Sequence, residues 1–463
     1  MHEILENKLC WAQRLAFAWI ASLGILIAIS YKSAYFNIGL TDFIAVAGII
    51  ILIYHRKSIA WLALRDAFTF YLGLFAFSVW LGMVVADLST GKTTTWAWMN
   101  RGMGVLVLVI SILFLRICLS GKIQNSLKWL IWAGCGYNLL GLIAALDRYL
   151  WRQPNIFFWE KQSLRLQGLM NNPNIYGGFL GLILVLLACA SVYRISIFKT
   201  ERMVWLQSAA IFIGLALTIS RGSWLSTWLG LCAVVGFGWA GKQVRRLALP
   251  VILLILLGGL MAISHTAPVI DHSLYTQPSQ MTGTFSIYMP HTQNYAHEFL
   301  RIARNHEGAS DRMQIMQVAF QGYLASRESM LLGMGLGTFA DFAQNSIIHV
   351  SVQIHNSFLW ALVELGPVGF IAIIGLWSAS ILKLMRCARN SGWRDPISSS
   401  LLASFLLIFF YCLINDGMFQ RELWLLLALA AASHPAIPKQ EPTASSQIVS
   451  VPALHADLKL LSS

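Results

Sequence analysis

The chain has 463 residues, of which 57% are hydrophobic and only 11% are charged. This balance excludes a soluble globular protein and is typical of a protein that crosses a membrane many times. The net charge of +13 would favour nucleic-acid binding in a soluble protein, but basic cytoplasmic loops explain it here. The cysteines have neither the Cys-x-x-Cys nor the Cys/His spacing of a zinc site.

Apolar runs predict about twelve membrane-spanning helices, because a span needs roughly 20 apolar residues. The predicted spans are 15–30, 38–54, 67–87, 102–119, 127–146, 174–193, 204–219, 222–240, 247–265, 356–382, 398–414 and 419–433. The expected fold is therefore an all-α, polytopic membrane protein in four parts. They are a transmembrane bundle at 1–265, a large outer loop at 266–355, three further spans at 356–434 and a disordered cytoplasmic tail at 435–463.

Basic residues predict the orientation of these spans, because Lys and Arg accumulate in cytoplasmic loops. They concentrate in alternate turns, for example at 56–65, 194–202 and 383–394. Both termini are therefore expected in the cytoplasm, and the large loop on the opposite face.

The second half of the large loop shows helical periodicity. One predicted helix face carries Met313, Met316, Phe320, Tyr323 and Leu324. We expect an amphipathic helix that begins after an N-cap at Ser310 and lies on the membrane or on the bundle. The preceding polar insert, 271–300, matches no known pattern.

Several cationic side chains are predicted on the outer face: Arg101, Arg165, Arg221, Arg312, Arg421 and His355. Arg221 stands between two apolar spans, where a charge costs on the order of 3 kcal/mol. A guanidinium binds phosphate oxygens through two parallel hydrogen bonds, so this set predicts a phosphate-bearing, membrane-bound substrate. The alternative, that such arginines reach lipid headgroups, stays open for Arg101 and Arg421. His355 could take a proton near neutral pH.

Three smaller features bear on this site. The segment 333–337, Gly-Met-Gly-Leu-Gly, lacks the ending of a nucleotide loop; it is either a turn that presents N–H groups to an anion or a flexible hinge. Asn172 and Pro173 predict a capped helix start. Glu364 lies about 180° around its helix from His355, so we expect it to have a structural partner instead.

Acidic residues are scarce where a metal would be needed. The predicted first outer turn, 31–37, has no carboxylate, and no Asp-x-Asp occurs anywhere. Membrane sugar transferases that use a divalent ion need acidic ligands. We therefore expect a metal-independent mechanism with no cofactor, in which arginines take the place of the metal.

The order of these motifs resembles the bacterial O-antigen ligase and O-antigen polymerase superfamily. The likeness covers about 165–370, through Arg165-Leu-Gln-Gly168, Asn172-Pro173-Asn174, Ser220–Trp224, Arg312, Gly333–Gly337, His355–Leu359 and Glu364-Leu-Gly366. The resemblance implies a GT-C-type membrane glycosyltransferase whose active site faces the periplasm, in the bacterial inner membrane. The donor would be a glycan on undecaprenyl diphosphate, and the acceptor a hydroxyl of the lipid A core, attacked with inversion and without metal.

The resemblance also implies roles for particular residues. His355, Arg221 and Arg312 would be catalytic, with Arg221 and Arg312 on the diphosphate and His355 activating the acceptor. Arg165 and Arg101 are expected to bind the diphosphate as well, and Asn356 is expected to position the acceptor. The expected partners are the lipid-linked donor, the acceptor and membrane lipids, without nucleic acid.

Three alternatives remain at the level of sequence. A repeat-unit polymerase and a protein O-oligosaccharyltransferase acting on pilin would use the same chemistry. A lipid-linked sugar flippase or other transporter would belong to a different class. A transporter predicts internal repeats and broken helices in matching halves, and no convincing repeat is visible in the sequence.

Overall fold

The computed structural model describes residues 2–31, 34–54, 66–91, 97–151, 157, 165–170, 172–266, 307–345 and 353–433. Within these ranges the chain is helical apart from one hairpin. Seven of the described helices are long and apolar enough to cross a membrane. The protein is therefore a multi-pass helical membrane protein, while twelve spans and the GT-C architecture stay predictions. The insert 271–300 and the tail 435–463 lie outside the described residues.

The first helix lies earlier than predicted. Helix α1 is His2–Ala21, strands β1 (Leu26–Tyr31) and β2 (Ala34–Gly39) form an antiparallel hairpin, and α2 is Leu40–Tyr54. The predicted span 15–30 is thus wrong in its bounds, and the all-α class is modified by this hairpin. Its isoleucines and aromatic residues favour strands as readily as they favour membrane helices.

The middle of the chain follows the predicted spans closely. Its helices are α3 (Ala67–Thr90), a π-helical segment (Ala97–Met103) that leads into α4 (Gly104–Cys118), α5 (Ile123–Trp151), α6 (Pro173–Tyr193), α7 (Glu201–Leu217), α8 (Arg221–Ala240), a 3-10 turn (Val244–Arg246) and α9 (Ala248–Thr266). Asn172 caps α6 by accepting hydrogen bonds from the N–H groups of Asn174 and Ile175, with Pro173 in the first turn. This predicted helix start is confirmed.

After the large loop the helices are α10 (Glu307–Leu324), α11 (Arg327–Leu332), α12 (Thr338–Gln344), α13 (Ser357–Asn390), α14 (Pro396–Ile414) and α15 (Arg421–Ala432). Helix α10 begins at Glu307, so the predicted N-cap Ser310 lies inside it.

Helix α10 packs on the protein through Ile315, Val318 and Ala319. Met313 and Phe320 of the predicted apolar face are 59% and 47% exposed, so the placement of that face on the membrane stays a prediction.

Helix α6 lies at the centre of the bundle and is buried along nearly its whole length. It packs against α7, α8 and α14. A Cβ at Gly177 would lie 2.8 Å from Ser223 Oγ, and a Cβ at Gly181 would lie closer still to Thr227 Oγ1. These two glycines, four residues apart, let the backbones of α6 and α8 approach closely. This packing fixes the start of α8, where Arg221 lies.

Candidate functional site

The candidate site surrounds the turn 415–420, which joins α14 to α15. Ser357, the first residue of α13, holds this turn: its Oγ accepts hydrogen bonds from the N–H groups of Gly417 (2.9 Å) and Met418 (3.1 Å) and donates to the Asn415 carbonyl (3.3 Å). The start of α8 lies against the same turn, because a Cβ at Gly222 would be 3.1 Å from Asn415 Nδ2. Of the two helix starts, that of α8 has no side-chain cap, so its N–H groups favour an anion.

Arg221 is the first residue of α8 and is half-buried. The residue two before it, Ile219, has φ of +50°. This left-handed conformation is rare for a β-branched residue and costs on the order of 1–3 kcal/mol. The surrounding packing therefore imposes the turn that directs Ser220 and Arg221.

Arg165 lies beside this turn. Its Nη2 donates to Asn174 Oδ1 (2.9 Å) and its Nε donates to the Thr218 carbonyl (3.3 Å). The Asn174 oxygen also accepts from Ser220 Oγ at 2.9 Å. Arg165 thus joins the start of α6 to the start of α8, and diphosphate binding by Arg165 stays a prediction.

Arg312 reaches the site from α10. Its Nη1 donates to the Ile414 carbonyl at 3.0 Å, at the end of α14. Burial lowers the pKa of the Arg312 guanidinium, the nearby Tyr411 opposes this, and the positive charge of Arg221 lowers it further. The group still carries its charge at neutral pH. Arg221 and Arg312 are therefore two guanidinium groups close enough to repel each other.

His355 completes the cluster from the residues before α13. Burial lowers the pKa of His355 below its ordinary value of 6.5, the charge of Arg312 lowers it further, and Asp416 opposes both. The imidazole is therefore neutral at pH 7 and able to accept a proton. The next residue, Asn356, caps α13: its Oδ1 accepts from the N–H groups of Phe358 (3.0 Å) and Leu359 (2.9 Å). Acceptor positioning by Asn356 stays a prediction.

Asp416 is a residue of this site that the sequence analysis did not identify. It forms an ion pair of 2.5 Å with Arg101, which is only 4% exposed. Arg101 also lies 3.9 Å from the ring centre of Phe419 and 5.1 Å from that of Trp360, and its Nη2 is 3.4 Å from Gln353 Oε1. This enclosure favours a role in holding Asp416 over direct contact with a ligand. These contacts argue against the predicted diphosphate binding by Arg101, which the Arg101→Ala variant tests.

Arg421 has a protein partner. Its guanidinium donates to both carboxylate oxygens of Asp42, with Nε 2.9 Å from Oδ1. Asp42 Oδ2 also accepts from the Gly39 N–H at 2.8 Å. Arg421 therefore anchors α15 to the start of α2. This ion pair argues against the alternative that Arg421 reaches lipid headgroups.

The glycine-rich segment 333–337 is docked on the bundle. The N–H groups of Met334 and Gly335 donate to carbonyls of α13, and that of Gly337 donates to Glu364 Oε2 at 2.9 Å. Trp360 Nε1 donates to the same oxygen at 2.7 Å. The segment is thus neither a free anion loop nor a hinge, and Glu364 has the structural partner that was predicted for it.

Close backbone contact explains two of the glycines here. Gly333 and Gly366 have φ of +81° and +69°, and a Cβ at Gly333 would lie 2.5 Å from the Gly366 nitrogen. Both residues must therefore be glycine. This contact seats the end of the large loop on the kink of α13 at Gly366.

No group of three or more His, Cys, Asp or Glu side chains is placed to hold a metal ion within the part of the chain that the structure describes. The metal-independent mechanism stays a prediction, since its basis is the sequence.

The fold defines a multi-pass helical membrane protein, and it brings cationic side chains together at the turn 415–420. A family model described as O-antigen ligase matches residues 206–374. The resemblance to the O-antigen ligase superfamily is thus confirmed over this stretch, which contains Arg221, Arg312 and His355. No curated protein matches the chain. The match supports an enzyme with ligase- or polymerase-type activity in the O-antigen pathway.

Proposed function

We propose that this protein is a glycosyltransferase that moves a glycan from undecaprenyl diphosphate to a hydroxyl of the lipid A core. The reaction takes place on the periplasmic face of the bacterial inner membrane, with both termini in the cytoplasm, by inversion and without metal. The observation that carries the proposal is the convergence of Arg221, Arg312 and His355 at the turn 415–420, from three separate parts of the chain.

In this proposal the two arginines bind the diphosphate. Their mutual repulsion is relieved when an anion lies between them. The diphosphate gains negative charge as its bond to the sugar breaks, and fixed cations stabilise that transition state. Arg165 and Arg101 act indirectly. Arg165 holds the turn before Arg221, and Arg101 holds Asp416.

His355 acts as the base. The acceptor oxygen forms a bond to the anomeric carbon and loses its proton to the neutral imidazole. The bond from the anomeric carbon to the diphosphate oxygen breaks, and its electron pair leaves with the diphosphate. Asp416 opposes the low pKa of His355, so it stabilises the imidazolium that forms. Asn356 positions the acceptor beside His355.

The family match also fits a repeat-unit polymerase and a protein O-oligosaccharyltransferase, which differ only in the acceptor. A flippase would bind the same lipid diphosphate but would not need a base at the site. The neutral His355 beside Arg312 therefore favours transfer over transport.

The test uses the full chain in nanodiscs with a synthetic undecaprenyl-diphosphate glycan and EDTA. Lipid A core, free glycan and pilin are offered separately as acceptors, and Arg312→Gln is compared with Arg327→Gln, an exposed arginine on α11. We expect transfer to lipid A core that is lost in the Arg312 variant alone. Complete inhibition by EDTA would refute the metal-independent mechanism. Flipping of the lipid-linked glycan in liposomes, with no transfer to any acceptor, would refute the proposal that the protein is a glycosyltransferase.

A further inference from the structure

Helix α8 begins without a side-chain cap. Ser220 occupies the N-cap position, yet it caps no backbone N–H. Its hydroxyl is instead engaged with Asn174 Oδ1 at 2.9 Å and Ser223 Oγ at 2.8 Å. The first N–H groups of a helix carry partial positive charge and need an acceptor. The start of α8 is therefore suited to an anion.

A buried amide points at this helix start. Asn415 is 5% exposed, and its Nδ2 has no hydrogen-bond partner among the described residues. A buried donor of this kind is costly unless it is used. The same Nδ2 lies 3.1 Å from where a Cβ of Gly222 would stand, so it faces the first turn of α8.

The backbone around Asn415 holds this amide in place. The Asn415 N–H donates to the Tyr411 carbonyl at 2.8 Å, and its carbonyl accepts from Ser357 Oγ at 3.3 Å. Each of the two arginines has a contact next to this amide. Arg221 directly precedes Gly222, and Arg312 binds the carbonyl of the residue before Asn415.

We infer that Asn415 is a further substrate-binding residue, whose Nδ2 donates a hydrogen bond to a phosphate oxygen of the lipid diphosphate at the start of α8. This inference rests on the proposed function and adds a residue outside the matched stretch 206–374. An amide suits this position, because it offers a directed donor without adding a third charge that would repel Arg221 and Arg312. It fixes where the phosphate lies, while the guanidinium groups supply most of the attraction.

The first test measures binding of farnesyl diphosphate to the full chain in detergent by isothermal titration calorimetry. Asn415→Asp keeps the shape but replaces the donor with a carboxylate, and we expect affinity to fall about 10-fold or more. Asn415→Ala removes the donor without adding charge and should lose about 10-fold. Asn345→Ala, an exposed asparagine on the outer loop, serves as the matched control and should bind as wild type.

A second variant tests the same hydrogen-bond donor from the side of helix α8. Gly222→Ala places a methyl group against Asn415 Nδ2 and, at the same 3.1 Å, against Ile414. Alanine favours a helix more than glycine does, while the methyl group crowds Asn415 and Ile414, so thermal stability is measured in parallel. We expect weaker diphosphate binding per folded molecule. In the Asn415→Ala background the Gly222 substitution should add little, because the donor is already missing.

These outcomes separate the two proposals. Wild-type affinity in both Asn415→Asp and Gly222→Ala, with Arg221→Gln defective, would overturn the role of Asn415 and leave the diphosphate site intact. Wild-type affinity in Arg221→Gln and Arg312→Gln as well would overturn the proposed function itself. If Asn415→Asp does not fold, the Gly222 variant alone decides.

Discussion

Removal of Arg101 separates a structural role from a ligand-binding role. Its guanidinium is 4% exposed and forms a 2.5 Å ion pair with Asp416. The Arg101→Ala substitution leaves the Asp416 carboxylate, which is 17% exposed, without its cation. It also removes the guanidinium from the face of Phe419, 3.9 Å away.

The expected cost follows from this geometry. Breaking a buried ion pair by removing one partner costs about 3–5 kcal/mol, and loss of the cation–π contact adds about 0.5–2 kcal/mol. Partial access of water to Asp416 reduces the first term. We therefore expect Arg101→Ala to lower the free energy of unfolding by about 3 kcal/mol, with diphosphate affinity per folded molecule nearly unchanged.

The assay is unfolding by SDS in mixed micelles, combined with farnesyl diphosphate binding. A double-mutant cycle with Asp416→Asn isolates the coupling between the two side chains, and Arg327→Ala controls for loss of an exposed arginine. The pair should show coupling of more than about 1 kcal/mol. Wild-type stability of Arg101→Ala, together with lost diphosphate binding, would refute this reasoning and place Arg101 on the ligand.

Three further predictions concern the site and the loop contact. Arg221→Lys should lower kcat/KM for transfer about 10-fold or more, because an ammonium cannot form two parallel hydrogen bonds; near-normal transfer would assign Arg221 to lipid headgroups. His355→Ala should lower kcat more than donor affinity. In the wild type the acid limb of kcat/KM should lie below pH 6.5. The titration of the His355 imidazole, followed by NMR, should move up in Arg312→Gln, since both burial and Arg312 disfavour the imidazolium; an unmoved titration would contradict this. Gly366→Ala, at φ of +69° and 2.7 Å from loop backbone, should cost about 2 kcal/mol or more in SDS unfolding, while Gly73→Ala, with open space around it, should not.

Much of the helical arrangement could be predicted from the sequence, because apolar runs and helix bounds coincide in a membrane. The predicted spans 174–193 and 222–240 agree with α6 and α8 to within a residue. The run 15–30 failed because hydropathy does not distinguish a helix from a hairpin of isoleucine and aromatic residues. The pairing of β1 with β2 decides that case, and it is not a property of hydropathy.

The residues of the site also differ in whether the sequence alone could identify them. Arg221 could be singled out because a charge between two apolar runs is conspicuous, whereas Arg312, in the polar loop, could be singled out through the family resemblance. Asp416 could not, since its role depends on a contact with Arg101, 315 positions away in the chain. The partner of the glycine-rich segment could not be read from the sequence either, because Glu364 accepts the Gly337 hydrogen bond only through the packing of that segment on α13.

The electrostatics of the cluster distinguish between two classes of function. Two guanidinium groups that repel each other lower the stability of the fold, as functional sites commonly do. That feature alone fits any protein that binds a lipid diphosphate, including a flippase. His355 is different, because burial and Arg312 keep it neutral while Asp416 favours its protonated form. A proton acceptor balanced in this way supports the proposed transfer, in which a hydroxyl loses its proton, and transport involves no such step. The position of Asp416, fixed by Arg101, thus connects the buried ion pair to the chemistry of transfer.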